Sequence, residues 1–171
     1  GRTRRLIGGL FDIKFVRPKP LVSRDLRLEV EERVAADGEV LKSANDIDFS
    51  SIMDKFHENG VESIAVAFMN SYRNDENEVA ALEKLQAMAG DIPVCSSTGV
   101  VPEKGEFERF STCVLNAYLT PVISAYLKTL AGELEGQGIT APVNVMGSNG
   151  GGMTLDKAAD FAAGTFLSGP V

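Results

Sequence analysis

Residues 142–154 read PVNVMGSNGGGMT, a Val-rich apolar run that breaks into Gly147, Ser148, Asn149 and three consecutive glycines, Gly150, Gly151 and Gly152. A segment with almost no side chains after an apolar run has two physical uses. It turns the chain sharply, or it lets something approach the backbone closely. In the first case it is a strand-to-helix turn with no ligand. In the second, its bare backbone N–H groups face an anion or a polar ligand, and a helix starting just downstream adds its dipole. Ser148 and Asn149 then supply oriented polar groups. The stretch is not a P-loop, because no Lys-Ser or Lys-Thr follows the glycines, and it lacks the dinucleotide glycine spacing.

Two further clusters carry polar chemistry. FLSGPV, at residues 166–171, places Ser168, Gly169 and Pro170 after an apolar piece, either as a plain turn or as the opening of a helix with Pro170 in its first turn. PEKGEFERFSTCVLNAYL, at residues 102–119, puts Glu108 and Thr112 on one helical face with Asn116 a turn further on and Arg109 beside them. Such a stripe lines a cleft, or it makes surface pairs and helix-packing hydrogen bonds. With a single histidine, His57, read as a partly exposed surface residue, no Ser/His/Asp set is assembled. Cys95 and Cys113 are not spaced as metal ligands, so no metal site is expected, and they read as buried free thiols in a reducing compartment.

The elements that must position these residues follow from hydrophobic periodicity. Pro18 and Pro20 hold residues 14–22 extended. Leu26, Leu28 and Val30 alternate with charged neighbours, and Asp37-Gly38 turns the chain toward Val40 and Leu41, predicting a β-hairpin with one wet face. Phe49, Ile52, Met53 and Phe56 predict a helix that stops at Asn59-Gly60. Residues 62–72 read as a short strand covered on both faces and 92–97 as another short strand, around a helix capped by Asn74 or Asp75 with Val79, Leu82, Leu85 and Met88 inward. From Glu106 to Glu135, Phe107, Phe110, Val114, Tyr118, Val122, Tyr126, Leu130 and Leu134 recur at helical steps, with Thr120-Pro121 predicting two helices or one kinked helix. A strand at residues 141–146 and a helix capped by Thr154 complete an α/β alternation.

Composition sets bounds on function. The chain has 171 residues and a net charge of −7, the wrong sign for a general nucleic-acid binder. The basic start, Arg2, Arg4 and Arg5, reads as a solvated face. At 44% hydrophobic and 24% charged residues the balance is that of a globular domain. No apolar run is read as spanning a membrane and no signal-peptide pattern is seen, so the expectation is a cytoplasmic protein.

Taken in order, PLVSRDLRLEVEERVAADGEVL, VESIAVAFMNSYRNDENE, PEKGEFERFSTCVLNAYLTP, VMGSNGGGMT and FLSGP resemble the hydantoinase A/oxoprolinase family across residues 18–170. That family includes ATP-dependent N-methylhydantoinases, 5-oxoprolinases and acetone-carboxylase-like subunits. The resemblance implies an α/β chain that is part of an actin-like ATPase fold, RNase H-like, with a mixed sheet, flanking helices and an N-terminal β-hairpin elaboration. It implies residues 1–60 as an extended segment, hairpin and helix, and 61–171 as an RNase H-like portion cut short at its C-terminal end. The chain then reads as an internal fragment lying between two Asp-Gly-Gly-Thr-type phosphate loops, inactive on its own. The histidine metal motif of some members is missing as well.

The implied reaction of the full protein is ATP-driven opening of a cyclic amide of hydantoin or 5-oxoproline type, with ATP and Mg as cofactors and the amide oxygen phosphorylated. Ser148 and Asn149 are the implied catalytic residues, placed where negative charge develops. Gly150, Gly151, Gly152, Ser168, Gly169 and Pro170 are the implied nucleotide- or substrate-binding residues. Glu108, Arg109, Thr112 and Asn116 are implied cleft-lining or structural groups. A hydantoinase B-type subunit or domain is the implied partner. Gly147, Gly152, Gly105 and Val171 depart from the residues usual in the family, which leaves the substrate open. The competing readings are a non-catalytic or carboxylase-type subunit of the actin-like superfamily, and a free-standing binding module.

Overall fold

The structure is a computed structural model and describes residues 19–139 and 141–165. The basic start and Ser168, Gly169 and Pro170 lie outside the described residues. Asp37-Gly38 makes the expected turn. Gly38 takes a φ of +100°, its N–H donates to Ala35 O at 3.0 Å, and Ala35 N–H donates to Glu39 O at 2.8 Å. The turn joins β1 (Arg33–Val34) to β2 (Val40–Lys42), antiparallel, with Arg33 opposite Lys42 and Val34 opposite Val40. The strand expected at residues 26–30 is not formed. A 3-10 turn, Arg24–Leu26, opens that stretch, and Leu26, Leu28 and Val30 lean on the core without joining a ladder. Alternation there reports side-chain burial alone.

α1 (Ser50–Glu58) buries Phe49, Met53 and Phe56, and Gly60 at φ +61° ends it as expected. β3 (Ile64–Val66) and β4 (Val94–Ser96) run parallel, pairing Ile64 with Val94, Ala65 with Cys95 and Val66 with Ser96. Between them α2 (Glu76–Ala89) makes the crossover, so the strand-helix-strand alternation read from the sequence is here a parallel β3-α2-β4 unit. Its inward face differs from the expectation. Val79 and Met88 are exposed, while Asn77, Glu78, Ala81, Leu85 and Ala89 are buried. Small residues let α2 close on the strands, and the two polar ones enter the interior because partners wait for them there.

A main core of Phe49, Met53, Phe56, Ile64, Val66, Phe68, Ala81 and Leu85 draws on both sides of residue 60. Three asparagines tie the hairpin to it. Asn70, at φ +58°, donates to Val34 O at 2.9 Å, and Asn74 donates to Gly38 O at 3.0 Å. Buried Asn77 donates to Lys42 O and Glu32 Oε2, both at 2.8 Å, and accepts from Ala44 N–H at 2.9 Å.

A short helix, α3 (Ser97–Val100), follows β4 directly. α4 (Glu106–Gly136) is one continuous helix with Pro121 inside it. Of the two expectations, two helices or one kinked helix, the separate second helix is not formed, because Thr120 Oγ1 turns back to donate to Asn116 O at 2.8 Å instead of capping a new helix. Its buried face also differs from the predicted stripe. Arg109, Cys113, Asn116, Ala117 and Leu127 are buried, whereas Phe107, Tyr118, Val122 and Tyr126 are exposed. α4 is long and apolar enough to cross a membrane, which the sequence reading did not register. Its inner face packs on β3, β4 and a 3-10 turn (Ala162–Thr165), as the helix of a globular domain does.

β5 (Asn144–Met146) pairs antiparallel with β6 (Gly152–Thr154), and α5 (Leu155–Asp160) follows, its start capped by Thr154 Oγ1 accepting Lys157 N–H at 3.3 Å. The three ladders are separate two-stranded pairs among the described residues, which makes this a mixed α/β chain.

Candidate functional site

The glycine run is the loop of the β5–β6 hairpin, so the strand-to-helix turn of the sequence reading is corrected to strand-to-strand. β5 is exposed at Asn144 and Met146 and half-buried at Val145. Gly150 takes φ +79° and donates to Gly147 O at 2.9 Å, closing the turn. A Cβ on Gly147 would stand 2.7 Å from Met153 Cε, the movable end of a flexible side chain, so it would shift Met153 without forbidding a larger residue. Gly152 faces open space, and nothing local demands it.

The expected row of bare amides is not present. Gly147 N–H donates to Gly151 O at 2.8 Å, Ser148 N–H to Gly164 O at 2.8 Å, and Gly151 N–H to Asn149 Oδ1 at 3.0 Å. Donors already engaged within the protein are poor anion ligands. The glycines satisfy their own loop, and what they display outward is the Asn149 side chain.

Ser148 is anchored from behind. Its Oγ also donates to Gly164 O, at 3.0 Å, so one carbonyl receives both Ser148 donors. Gly164 belongs to the 3-10 turn, where a Cβ would lie 2.4 Å from the Phe161 ring. Only glycine fits there. That turn is held by buried Asn116 of α4, whose Oδ1 accepts Ala163 N–H and whose Nδ2 donates to Asp160 O, both at 2.9 Å. A continuous set of hydrogen bonds therefore runs from α4 through Asn116, the 3-10 turn and Gly164 to Ser148.

Two turns earlier on α4 sits a densely hydrogen-bonded buried group. Glu78, Ser97 and Arg109 are all fully buried. Glu78 Oε2 accepts Phe68 N–H and Ser97 Oγ, both at 2.9 Å, and Oε1 accepts Thr98 N–H at 2.7 Å and Thr98 Oγ1 at 2.9 Å. Ser97 Oγ in turn accepts Arg109 Nε at 3.0 Å. Arg109 also donates to Phe68 O at 2.8 Å and lies over the Tyr72 and Phe110 rings at 5.7 and 5.3 Å. A guanidinium and a carboxyl joined through one hydroxyl meet the condition under which buried charge is tolerated. The group fixes the carboxyl ends of β3 and β4 against α2 and α4.

Of the other residues proposed from sequence, Glu108 is exposed, and Thr112 Oγ1 donates to Glu108 O at 2.8 Å, a helix-surface bond. Arg109 and Asn116 thus point inward and serve as anchors. Glu78, Ser97, Thr98 and Gly164 were not named from the sequence. The available signals were a Ser-Ser-Thr run directly after an apolar strand and a glutamate in register with Ala81 and Leu85 on the inner face of α2.

The Cys95 and Cys113 sulfurs stand 3.8 Å apart, both free. The hydrogen bond from Cys113 holds the Cys95 thiol below its ordinary value, while the same bond and burial push Cys113 up.

Beyond the strand carboxyl ends lies a cavity of about 170 Å³ lined by Ser71, Tyr72, Arg73, Asp75, Thr98 and Pro102. Ligand pockets of drug or cofactor size run to roughly 300 Å³ or more, so it is too small for a nucleotide. A cleft of about 370 Å³ lies at the other ends of the strands, among Glu62, Asp91, Pro93, Pro121, Ser124, Ala125 and Lys128. Neither is lined by residues 147–152. Among the described residues no group of His, Cys, Asp and Glu could hold a metal ion.

The parallel β3-α2-β4 unit, the long α4 and the hairpin behind it define a mixed α/β segment whose polar loop is carried on a helix. The chain belongs to the hydantoinase/oxoprolinase family: residues 2–89 match the hydantoinase/oxoprolinase N-terminal region and residues 109–171 match the hydantoinase/oxoprolinase domain. It is 33% identical over 144 residues to the caprolactamase subunit alpha of Pseudomonas jessenii, covering 84% of this chain and 21% of that protein. To 5-oxoprolinase of Saccharomyces cerevisiae it is 30% identical over 131 residues, covering 77% of this chain and 10% of that one. The crystal structure of ATP-dependent caprolactamase from Pseudomonas jessenii superposes with a TM-score of 0.81 at 29% identity, over 95% of this chain and 24% of that one. Nucleotide-free acetone carboxylase superposes with a TM-score of 0.67 at 25% identity, over 86% and 21%. The chain therefore spans about a quarter or less of the proteins it matches.

Proposed function

We propose that this chain is a segment of an ATP-dependent enzyme that opens cyclic amides, working in the cytoplasm within a longer polypeptide of actin-like, RNase H-like architecture. Residues 1–60 are its N-terminal elaboration and 61–171 part of an RNase H-like lobe. The observation that carries the reading is the likeness to ATP-dependent caprolactamase at a TM-score of 0.81 over 95% of this chain. ATP with Mg would supply the phosphoryl group that activates the amide oxygen.

The described residues do not by themselves fit ATP or Mg. The loop amides are engaged internally, and no cluster of metal-ligating side chains is present among them. The nucleotide and metal are assigned to the rest of the polypeptide, together with Ser168, Gly169 and Pro170 at its edge. This segment contributes the Ser148–Asn149 hairpin tip. Ser148 is fixed by Gly164, and Asn149 carries an exposed amide able to donate to a carbonyl or phosphoryl oxygen as charge develops. Gly150, Gly151 and Gly152 shape that tip and keep bulky groups off it. Asn116 holds it in place through the 3-10 turn, while Arg109 anchors α4 to the strand ends and Glu108 and Thr112 lie on the α4 surface. A hydantoinase B-type subunit or domain is the proposed partner.

The test uses the full-length protein with caprolactam, N-methylhydantoin, 5-oxoproline and ketones. Cyclic amides should stimulate ATP turnover, and Asn149→Ala should lower kcat by 10-fold or more, about 1.4 kcal/mol. A carboxylase reading is favoured by the likeness to acetone carboxylase. Stimulation by ketone with bicarbonate, and none by any cyclic amide, would establish that reading in place of the first.

A further inference from the structure

The outer face of α4 has no role in the site, and its composition is unusual. Phe107, Tyr118, Val122 and Tyr126 are 63%, 59%, 69% and 61% exposed. Tyr118, Val122 and Tyr126 follow at steps of four residues and Phe107 lies eleven residues, about three helical turns, before Tyr118, so all four fall on one side of the helix, opposite the face that carries Arg109, Cys113 and Asn116. From residue 110 to residue 127 the helix has no Asp, Glu, Lys or Arg at all. A solvated helix face normally carries charge, and a face without it reads as buried. The four side chains present an apolar patch on the order of 500 Å², the upper range for a whole monomer surface.

We propose that this face is a permanent internal interface, the seat of another domain of the same longer polypeptide. Three observations select that occupant. The stripe from Phe107 to Tyr126 is about 28 Å long at 1.5 Å per residue, the width of a domain layer and more than a short docked peptide covers. The absence of charge matches the centre of an obligate interface, whereas exchangeable interfaces resemble ordinary surface. The chain accounts for 24% of the length of the caprolactamase chain on which it superposes over 95% of its own length, so a polypeptide of that length would carry further domains large enough to cover α4. The inference needs only that longer polypeptide and stands whether its reaction is amide opening or carboxylation.

Hydroxyl-radical footprinting of the wild-type full-length protein, without any second subunit, reads Tyr118 and Tyr126 directly. Both should be modified at least tenfold more slowly than in the denatured protein. Replacing Tyr126 with a photo-crosslinking phenylalanine should give an intrachain link to a residue outside the present 171. Tyrosines that react freely in the full-length chain overturn the proposal, and so does protection that appears only when a second subunit is added. A cross-link to another polypeptide, or none in a folded variant, overturns it as well. If the variant fails to fold, the wild-type footprint still decides.

Discussion

Glu78→Gln is the sharpest probe of how this fold is held. The substitution keeps the volume of the side chain and changes one oxygen to an NH2 group. Both oxygens of Glu78 now accept donors: Phe68 N–H and Ser97 Oγ on one, Thr98 N–H and Thr98 Oγ1 on the other. Whichever way the glutamine amide turns, its N–H groups face a backbone N–H, so at least one buried donor pair is opposed. Arg109 loses the carboxyl to which Ser97 couples it. Hydrogen bonds to charged groups are worth about 1.5–3 kcal/mol each, and removing one member of a buried charge pair costs about 3–5 kcal/mol. We expect a loss of about 3–5 kcal/mol. At a urea slope of about 2 kcal/mol per molar, that lowers the unfolding midpoint by about 1.5–2.5 M. Glu76→Gln, on the exposed side of the same helix, should shift it by less than about 0.5 kcal/mol. Urea titration followed by circular dichroism gives both numbers. A Glu78→Gln midpoint within about 0.3 M of wild type would refute the network as the clamp between α2 and α4.

Gly164→Ala forces a Cβ to 2.4 Å from Phe161 and displaces the carbonyl that holds Ser148, so amide-stimulated ATP turnover in the full-length enzyme should fall severalfold with the loop sequence untouched; an unchanged rate removes the anchor from the account. Iodoacetamide should alkylate Cys95 well before Cys113, and Cys113→Ala should slow the Cys95 reaction by removing the bond that lowers its pKa; equal labelling of the two in the native protein contradicts this. Asp48 sits below its ordinary 3.8 because Ser50 donates to it from its hydroxyl and then its backbone. A depressed carboxyl contributes stability above about pH 4 that is lost as pH falls through its folded value, so Asp48→Asn should flatten the acid limb of a stability–pH curve, and an unchanged limb would count against it.

The sequence was most legible where local chemistry decides the outcome. Asp37-Gly38 set the hairpin, the Phe49–Phe56 stripe and Gly60 set α1, and Thr154 set the start of α5. The β3-α2-β4 unit followed from two short apolar runs around a capped helix. Legibility ended where polar residues go inside. Glu78, Asn77, Arg109 and Asn116 occupy faces that a hydrophobicity rule assigns to apolar residues, and only the network of partners makes those positions favourable. For the same reason the periodicity of α4 did not show its buried face: Phe107, Tyr118, Val122 and Tyr126 of the apolar stripe are exposed, and Arg109 and Asn116 are buried beside Cys113, Ala117 and Leu127. β6 was missed because Gly152 and Met153 carry no strand signal and Thr154 reads equally as a helix cap, so the three pair only because the hairpin brings them opposite β5. The glycines were correctly singled out as special, but their amides serve the turn, and the polar tip they expose is Asn149.

The central claim is that this segment serves ATP-driven opening of a cyclic amide. Its most direct measurement follows ADP and ring-opened amino acid together when the full-length protein is given ATP, Mg and caprolactam or 5-oxoproline. The account predicts the two products in equal amounts, with both rates falling together in Asn149→Ala. ADP release that no cyclic amide stimulates, or ring opening that proceeds without ATP, would contradict it.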